Sequence, residues 1–450
     1  MEQAVHTARR QNERGLRPTE AAAYTAIVLG CLLGLTAATE APPNFEVPPL
    51  QPASELLQPA LASGADFHVV DPVQSDGLMH RYVVDSKFGQ FPAYGRVALA
   101  IRVHEVAALT ELNKTSPVAV VAGGVSRGVE SQVETAVGVV THPVKAVTGI
   151  PRGIAHLFHG YVDEGKETVA DAKRSTSAPA ADGSATTTSA SDKSASAAKH
   201  YAARYFGLTG AERHWYEKLG VDPYTDNAVL REAIHKTAKI DAAAGFGTRF
   251  IGIPSIPGIG DIHQVMDAVY KEDPATIRAR TKVTLAGYGL EPAEIDRWQN
   301  AIVLSPTRQL LLLNSAAALD GVDGRAELFR HALGLKSVAE AQVYLQSVAL
   351  LVVAHRKQPV AAILPGVRLP AAKRADGHVI VCGAFEAVYW TEDVARGEGQ
   401  IREALQPAGD AVRELWVTGT VSDTARNALQ GKGWDIHEGV SDPSGDPPTH

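Results

Sequence analysis

The sequence RSTSAPAADGSATTTSASDKSASAAK at residues 174–199 decides how the chain is organised. It consists almost wholly of Ser, Thr and Ala and contains no large apolar side chain. Because burial cannot offset the entropy that such a segment loses on ordering, the pattern predicts a disordered linker. The linker divides the chain into an N-terminal half and a C-terminal half.

The composition places the chain among ordinary globular proteins. Its 450 residues suggest about three domains, and a hydrophobic content of 45% suffices for their cores. The 43 basic and 50 acidic side chains leave a net charge of −7. This balance disfavours a nucleic-acid partner, because such binding needs a surplus of positive charge. Having only two cysteines, Cys31 and Cys382, excludes a disulfide scaffold and a multi-thiolate metal centre, and no pattern indicates a cofactor.

The uncharged run AAAYTAIVLGCLLGLTAA at residues 21–38 predicts where the protein resides. It follows several arginines and precedes a proline-rich stretch, as an export signal does, and it is also long enough to cross a bilayer once. Residues 1–41 are therefore predicted to be a signal peptide or a membrane anchor. A lipoprotein cleavage site at Cys31 is an alternative, but the segment stays apolar beyond it, which favours a signal or anchor. A buried helix of a soluble protein is the remaining alternative. We expect an exported protein, periplasmic or tethered to a membrane.

The rest of the N-terminal half has two predicted parts. Residues 42–63 contain six prolines and predict a stiff, extended tether. Residues 64–173 predict a small β unit followed by a Gly- and Val-rich amphipathic region. The β unit is predicted to contain three strands and a short helix, at 67–70, 79–84, 97–103 and 104–112. The lightly charged residues 116–172 predict short amphipathic helices, whose apolar faces must meet the β unit, a partner or a lipid surface.

The C-terminal half predicts a helical domain at 200–358 and a small α/β layer at 359–438. Capping boxes at Thr209–Glu212 and Ser337–Glu340, together with prolines at first helical turns, indicate the helices. Strands and helices then alternate, at 378–383, 393–405, 413–418, 423–429 and 434–436, which indicates a partly parallel sheet. Residues 439–450 predict an acidic tail. The predicted fold class is α+β and multidomain: a signal or anchor, a small β unit with Gly-rich amphipathic helices, a disordered linker, an all-α helical domain and a small C-terminal α/β layer.

Two candidate sites lie in the N-terminal half. Ser126, in Gly-Val-Ser-Arg-Gly, matches a nucleophile elbow, although too few residues precede it for the strands of a hydrolase sheet. His156, His159 and Asp163 are spaced to share one helix face, and two imidazoles with a carboxylate suit zinc. The alternative for these three residues is the polar edge of an amphipathic segment.

Two further candidates lie in the C-terminal half. His214 and Glu217 are neighbours on a predicted helix and suit acid–base chemistry, although a surface pair has the same spacing. The anion-binding candidate has free N–H groups and hydroxyls between a strand and a helix, at Thr418, Gly419, Thr420 and Ser422. The alternative for this segment is a tight turn at the glycine with a helix cap at the serine.

The sequence as a whole favours an exported envelope protein without catalytic activity. We expect it to bind a membrane surface or an envelope protein through residues 116–172, with the C-terminal half as a rigid binding module and no small ligand identified. The alternative is an exported enzyme, a hydrolase or an enzyme with an anionic ligand, whose site lies in the C-terminal half. Convergence of histidines and acids from that half in one cleft would favour the enzyme.

Overall fold

The computed structural model describes residues 45–115, 190–241, 262–409 and 411–440. The export segment, the Gly- and Val-rich region, most of the linker and the tail beyond Val440 lie outside these ranges, so the predictions made for them stay predictions. The described residues form a mixed α/β structure with several sheets, which confirms the predicted α+β class in its broad form.

An antiparallel sheet and one long helix form the first described part. Its elements are α1 Ala53–Leu56, α2 Pro59–Ala62, β1 Ser63–Gly64, β2 Phe67–Val69, β3 Gln74–Ser75, β4 His80–Ser86, β5 Gly89–Tyr94 and α3 Arg96–Thr115. Strand β4 pairs antiparallel with β2, β3 and β5. Its alternate residues His80, Tyr82 and Val84 are buried, as expected for a strand with one face on a core.

Residues 97–103 are helical, which corrects the strand predicted there. Leu99, Val106 and Leu109 are fully or almost fully buried and recur at helical spacing along α3. Burying all three requires a helix, although valine and isoleucine favour strands. Strands β1, β3 and β5 were not predicted, and the longest of them is β5. Pro92 obscured its pattern, and the strand tolerates this proline because β5 pairs with one neighbour only.

The proline-rich stretch also differs from its prediction. Helices α1 and α2 occupy residues 53–62, where an extended tether was expected. Ala53 and Leu57 are buried in the core that also contains Leu109, so this segment packs on the protein. Pro59 stands at the start of α2, where its missing N–H costs nothing, and it therefore begins a helical turn rather than extending the chain.

Nine helices follow in the described part of the chain: α4 Ala190–Tyr205, α5 Gly210–Leu219, α6 Ala228–Asp241, α7 Ile262–Lys271, α8 Pro274–Gly287, α9 Pro292–Gln299, α10 Pro306–Ala317, α11 Ala326–Ala332 and α12 Val338–Lys357. The predicted capping box of α5 is present. Helix α4 begins inside the segment predicted to be a disordered linker. Tyr201 and Tyr205 anchor its C-terminal end in a core, and a helix fixed at one end extends readily into Ala-rich sequence.

The C-terminal elements are β6 Val360–Ile363, β7 Ala371–Arg374, β8 Val379–Gly383, β9 Ala387–Val388, α13 Glu392–Ala404, β10 Arg413–Val417, β11 Thr420–Val421, α14 Asp423–Gly431 and β12 Trp434–His437. A five-stranded sheet has the order β12-β10-β8-β7-β6. Strands β8, β10 and β12 are parallel, as predicted, whereas the antiparallel hairpin of β6 and β7 was not predicted. Strands β9 and β11 form a separate parallel pair.

Two large cores connect these elements. In the first, Leu109 of α3 lies with Trp215 of α5 and Leu230 of α6, so helices from both sides of residues 116–189 pack together. In the second, α12 packs with the five-stranded sheet. Of the described helices, α12 alone is long and apolar enough to cross a bilayer, and most of it is buried in this core.

Candidate functional site

Four of the predicted site residues lie outside the described ranges: Ser126, His156, His159 and Asp163. The nucleophile and the zinc site suggested by these residues therefore stay predictions. Within the described ranges, no group of three or more His, Cys, Asp or Glu side chains could hold a metal ion. Cys382 is fully buried in β8, and burial raises the pKa of its thiol, as expected for an inert cysteine.

His214 and Glu217 form no hydrogen bond or ion pair with each other in the described structure. His214 is exposed on α5. The buried carboxylate of the same helix is Glu212, which lies 2.6 Å from Nδ1 of His235 in α6. The acid–histidine pair is therefore formed between two helices and not between neighbours on one helix.

The predicted anion site contains carboxylates of the chain itself. It comprises Thr418, Gly419, Thr420 and Ser422. The hydroxyl of Ser422 donates a hydrogen bond to Oε2 of Glu46 at 2.6 Å. The backbone N–H of Val421 donates to Oε2 of Glu438 at 2.7 Å. Ser422 also caps α14, as predicted. Negative charge is therefore present where the helix N-terminus attracts it, and two side chains of the protein supply it.

Gly419 has a structural role that needs no ligand. A Cβ atom at this position would lie 1.9 Å from the carbonyl oxygen of Glu386. The same carbonyl accepts a hydrogen bond from the N–H of Thr420 at 3.3 Å, at the start of the β9–β11 pair. Glycine is therefore required because two backbone segments approach closely.

A cavity of about 120 Å³ lies between α3, the α5–α6 connection, α10 and α12, and we call it the central cavity. Six charged or titratable side chains line it: Arg102, His104, Glu105, Asp222, Asp226 and Arg308. Ile101, Met266 and Leu311 form part of its apolar wall. The cavity thus combines an apolar wall with several charged groups, which is typical of a small-molecule site.

Arg102 pairs two of the three acids in the central cavity. Its guanidinium donates to Oε2 of Glu105 at 2.8 Å and to Oδ1 of Asp226 at 2.7 Å. Glu105 also accepts hydrogen bonds from Thr225 and from the amide of Asn227. Burial raises the pKa of Asp226, but the charge of Arg102 lowers it, and the pKa falls below its usual value. This acid is therefore ionised. One guanidinium thus serves two carboxylates, and the charge of Arg308 also lowers the pKa of Asp226.

Asp222 and Arg308 form no such ion pair among the described residues. Oδ1 of Asp222 accepts hydrogen bonds from the hydroxyl of Thr307 at 2.7 Å and the N–H of Tyr224 at 2.9 Å. No cation lies within ion-pair distance of Asp222 in the described part of the chain, and burial raises its pKa. Arg308 makes one side-chain hydrogen bond, a long one of 3.4 Å to the carbonyl of Val303, and pairs with no acid among the described residues. A carboxylate and a guanidinium without an ion pair therefore line one cavity, where the charge of Arg308 acts against the burial that raises the pKa of Asp222.

His104 adds a neutral ring to the same cavity. Its Nε2 lies 3.1 Å from the carbonyl oxygens of both Leu219 and Gly220, so this nitrogen carries a hydrogen and donates. Burial lowers the pKa of His104, which keeps the ring neutral near pH 7. Its Nδ1 is therefore an acceptor, and the ring adds no charge to the cavity.

A larger cleft of about 350 Å³ shares Thr225 with the central cavity, and we call it the tyrosine cleft after Tyr205, Tyr216 and Tyr224. Glu212 and His235 lie on its wall. Glu212 also accepts hydrogen bonds from the N–H and the hydroxyl of Thr209. Burial raises the pKa of Glu212, but these two bonds and the bond from His235 lower it below its usual value. Because the carboxylate is ionised, Nδ1 of His235 carries a hydrogen, and Nε2 can act as a base.

The sequence analysis missed both cavities because their residues are distant in the chain. Asp222 lies in the α5–α6 connection and Arg308 on α10, whereas Arg102 precedes the linker on α3. The signal that could have indicated the site is the run DPYTDN at 222–227. It places two acids and hydrogen-bonding side chains in a short connection between two helices, where turn formation alone needs fewer of them.

Comparison with known proteins gives no family for this chain. No protein-family model, no curated protein and no solved structure matches it. The function is therefore inferred from the unpaired charges of the central cavity and from the residues of the tyrosine cleft.

Proposed function

We propose that this protein is exported to the cell envelope and acts there as a non-catalytic binding protein whose central cavity holds a small zwitterion. The observation that carries the proposal is that Asp222 and Arg308 line one cavity and neither forms an ion pair among the described residues. The uncharged run at residues 21–38 supports export. The lightly charged sequence of residues 116–172 supports additional binding to a membrane surface or an envelope protein.

The two unpaired charges define the ligand. Removing a carboxylate and a guanidinium from water is costly unless each finds an opposite charge. An ammonium group satisfies Asp222, and a carboxylate satisfies Arg308, whose planar fork suits two oxygens. A molecule with both groups therefore gains two charge-assisted contacts, whereas an amine or an acid alone gains one.

The size of the cavity limits the zwitterion. A volume of about 120 Å³ is slightly below the 150 Å³ cavity that holds benzene, so it accommodates about six non-hydrogen atoms. Glycine and alanine are of this size. Met266 and Leu311 provide an apolar wall for a methyl group, and bulky side chains do not fit.

Isothermal titration of the full chain with alanine tests the proposal. Ethylamine and propionate represent the two halves of the ligand and are expected to bind more weakly than alanine. Asp222→Asn and Arg308→Gln are each expected to weaken alanine binding about tenfold or more, since a hydrogen bond to a charged group contributes about 1.5–3 kcal/mol. Asp320→Asn and Arg396→Gln, at exposed positions, are the matched controls and should bind as the parent does. Equal binding by Asp222→Asn and the parent would contradict the proposal.

Export and membrane binding need separate tests. Fractionation of tagged full-length protein is expected to recover it outside the cytoplasm, and recovery in the cytoplasm would end the envelope proposal. Liposome flotation of the full chain is expected to depend on residues 116–172, so Val120→Asp and Val139→Asp should reduce it. Flotation that is the same with and without these changes would rule out binding to lipid through this segment.

An exported enzyme remains the second candidate, supported by the pair of Glu212 and His235. A histidine oriented by an ionised carboxylate is the arrangement of a general base. The side chain of His235 is 44% exposed, so a substrate in the tyrosine cleft can reach its ring. The cleft lies in the helical part of the C-terminal half, where the sequence analysis expected a catalytic site.

Hydrolysis of p-nitrophenyl acetate and p-nitrophenyl phosphate by the full chain tests this candidate. We expect His235→Gln to abolish any activity above the uncatalysed rate and His214→Gln, the exposed control on α5, to leave it unchanged. No activity towards either ester, or activity that His235→Gln retains, would count against a hydrolase.

A further inference from the structure

The tyrosine cleft contains a partly buried cation that the proposed function does not use. Arg231 lies on α6, where Ala228, Glu232 and His235 line the cleft from the same helix face. The Nε atom of Arg231 is buried and has no hydrogen-bond partner. Its guanidinium forms no hydrogen bond or ion pair with any side chain in the part of the chain that the structure describes. A buried N–H donor without an acceptor is unfavourable, and an anion in the cleft would remove this cost.

The acids of the cleft do not serve Arg231. Glu212 accepts three hydrogen bonds, two from Thr209 and one from His235. Glu232 forms an ion pair with Lys236 at 3.2 Å. Both carboxylates thus have partners of their own, and the charge that faces the cleft without a partner is positive.

A second guanidinium, that of Arg204, also lines the tyrosine cleft. Arg204, at the end of α4, donates from Nε to the hydroxyl of Tyr205 at 3.1 Å. It is exposed, so its remaining N–H groups can approach a ligand from solvent. Two arginines on one cleft wall are typical of sites for phosphate and carboxylate groups, because each guanidinium matches the geometry of two oxygens.

The aromatic walls indicate that the anion belongs to a larger molecule. The rings of Tyr205 and Tyr224 meet edge to face, with centroids 5.7 Å apart. Burial raises the pKa of Tyr216, so its hydroxyl stays protonated and can donate to an oxygen. At about 350 Å³ the cleft reaches the size range of small-molecule sites, about 300–1,000 Å³, and exceeds the volume of a free inorganic ion.

We propose that the tyrosine cleft binds an organic oxyanion, a phosphate or carboxylate attached to a planar body, with Arg231 binding the oxyanion and the tyrosines contacting the body. The charged residues of this site differ from those of the zwitterion site, because Asp222 and Arg308 do not line the tyrosine cleft. It requires no catalytic activity of His235.

Titration calorimetry of the full chain with four probes tests the proposal. Phenyl phosphate and benzoate carry the two oxyanions on the same ring, phenol lacks the charge, and inorganic phosphate lacks the ring. We expect at least one of the ring oxyanions to bind with a Kd below about 1 mM and to bind about tenfold or more tightly than phenol and inorganic phosphate. Whichever oxyanion binds more tightly identifies the source of the charge.

Arg231→Gln is the decisive variant. It should weaken binding of the ring oxyanion about tenfold or more and raise the melting temperature of the unliganded protein, because a buried donor without an acceptor is removed. The raised melting temperature shows that the variant folds. Arg396→Gln on α13 is the matched control and should bind phenyl phosphate as the parent does. Undiminished binding by Arg231→Gln, or the absence of binding by both ring oxyanions, would overturn the proposal.

Discussion

Two acidic side chains in the protein, Glu386 and Asp222, have opposite environments. Glu386 accepts hydrogen bonds from the N–H and Nδ1 of His80, at 3.2 and 2.9 Å, and from the N–H of Arg96. These contacts join the antiparallel sheet to the segment after β8. Asp222 accepts two neutral hydrogen bonds and has no cationic partner among the described residues. A carboxylate whose charge is matched within the chain holds the fold together, whereas one left unmatched beside a cavity indicates a ligand.

Removal of the matched carboxylate should have the largest effect. Glu386→Ala leaves the buried His80 and the N–H of Arg96 without their acceptor and removes the ion pair with the Arg96 guanidinium, and it should lower the free energy of unfolding by about 3–5 kcal/mol. Urea denaturation of the full chain measures this change. Glu392→Ala, at a largely exposed position on α13, is the control and should stay within about 0.5 kcal/mol of the parent. A loss below about 1 kcal/mol for Glu386→Ala would show that the junction does not hold the fold together.

The backbone of the same junction offers a second test. Gly419→Ala places a Cβ atom against the carbonyl oxygen of Glu386, so the two segments must separate, and we expect a loss of about 3 kcal/mol. The control is Gly431→Ala at the end of α14, where an added Cβ meets no atom within 4 Å. It should stabilise the protein by about 0.5 kcal/mol through the unfolded chain. Similar midpoints of thermal unfolding for the two variants would contradict the close approach at Gly419.

Glu340 is a third buried carboxylate, and its effect depends on pH. Its carboxylate accepts a hydrogen bond from the N–H of Lys336, and burial raises its pKa from 4.5 to about 7. The folded protein thus holds this proton more tightly than the unfolded chain, so the free energy of unfolding falls as the pH rises from 4.5 to about 7. Glu340→Gln removes this loss and should be more stable than the parent by up to about 3 kcal/mol near pH 8, with little difference near pH 4.5. The measurement is urea denaturation across this range, and a constant difference between the two proteins would refute the assignment.

The smallest change in stability is expected for Asp222. Because burial raises its pKa, Asp222→Asn should change the free energy of unfolding by less than about 1 kcal/mol at neutral pH, while it weakens alanine binding about tenfold or more. Asp226→Asn, in the same cavity, breaks the ion pair with Arg102 and should cost about 2 kcal/mol. Equal losses for the two variants would remove the distinction between matched and unmatched carboxylates.

Local patterns predicted local structure well. The capping box at Thr209 and Glu212 is present with both of its hydrogen bonds. The capping box predicted at Ser337 has one of its two hydrogen bonds. The serine hydroxyl accepts from the N–H of Glu340, but the carboxylate of Glu340 accepts from the N–H of Lys336 and not from that of Ser337. Strands β8, β10 and β12 also lie where β-branched and aromatic residues indicated them. Such features depend on residues within a few positions of each other, so a linear sequence contains them.

Local patterns failed where burial from distant residues decided the structure. Residues 97–103 have the composition of a strand, but they form a helix because Leu99 and its neighbours bury one helical face against β4, β5 and α6. The alanine-rich start of α4 is helical because Tyr201 and Tyr205 are held in a core. In both cases tertiary packing outweighed the intrinsic preference of the segment.

The sequence by itself determined the broad α+β class, the caps and most strands of the C-terminal part, because these follow from the spacing and chemistry of neighbouring residues. Tertiary structure alone decided which carboxylates have a cation beside them. Glu386 and Asp222 carry the same carboxylate group. The free energy of burying each charge depends on groups that lie hundreds or tens of residues away in the sequence. Electrostatic matching acts through space at distances of a few ångströms, so only the folded chain separates a group that stabilises the fold from one left for a ligand.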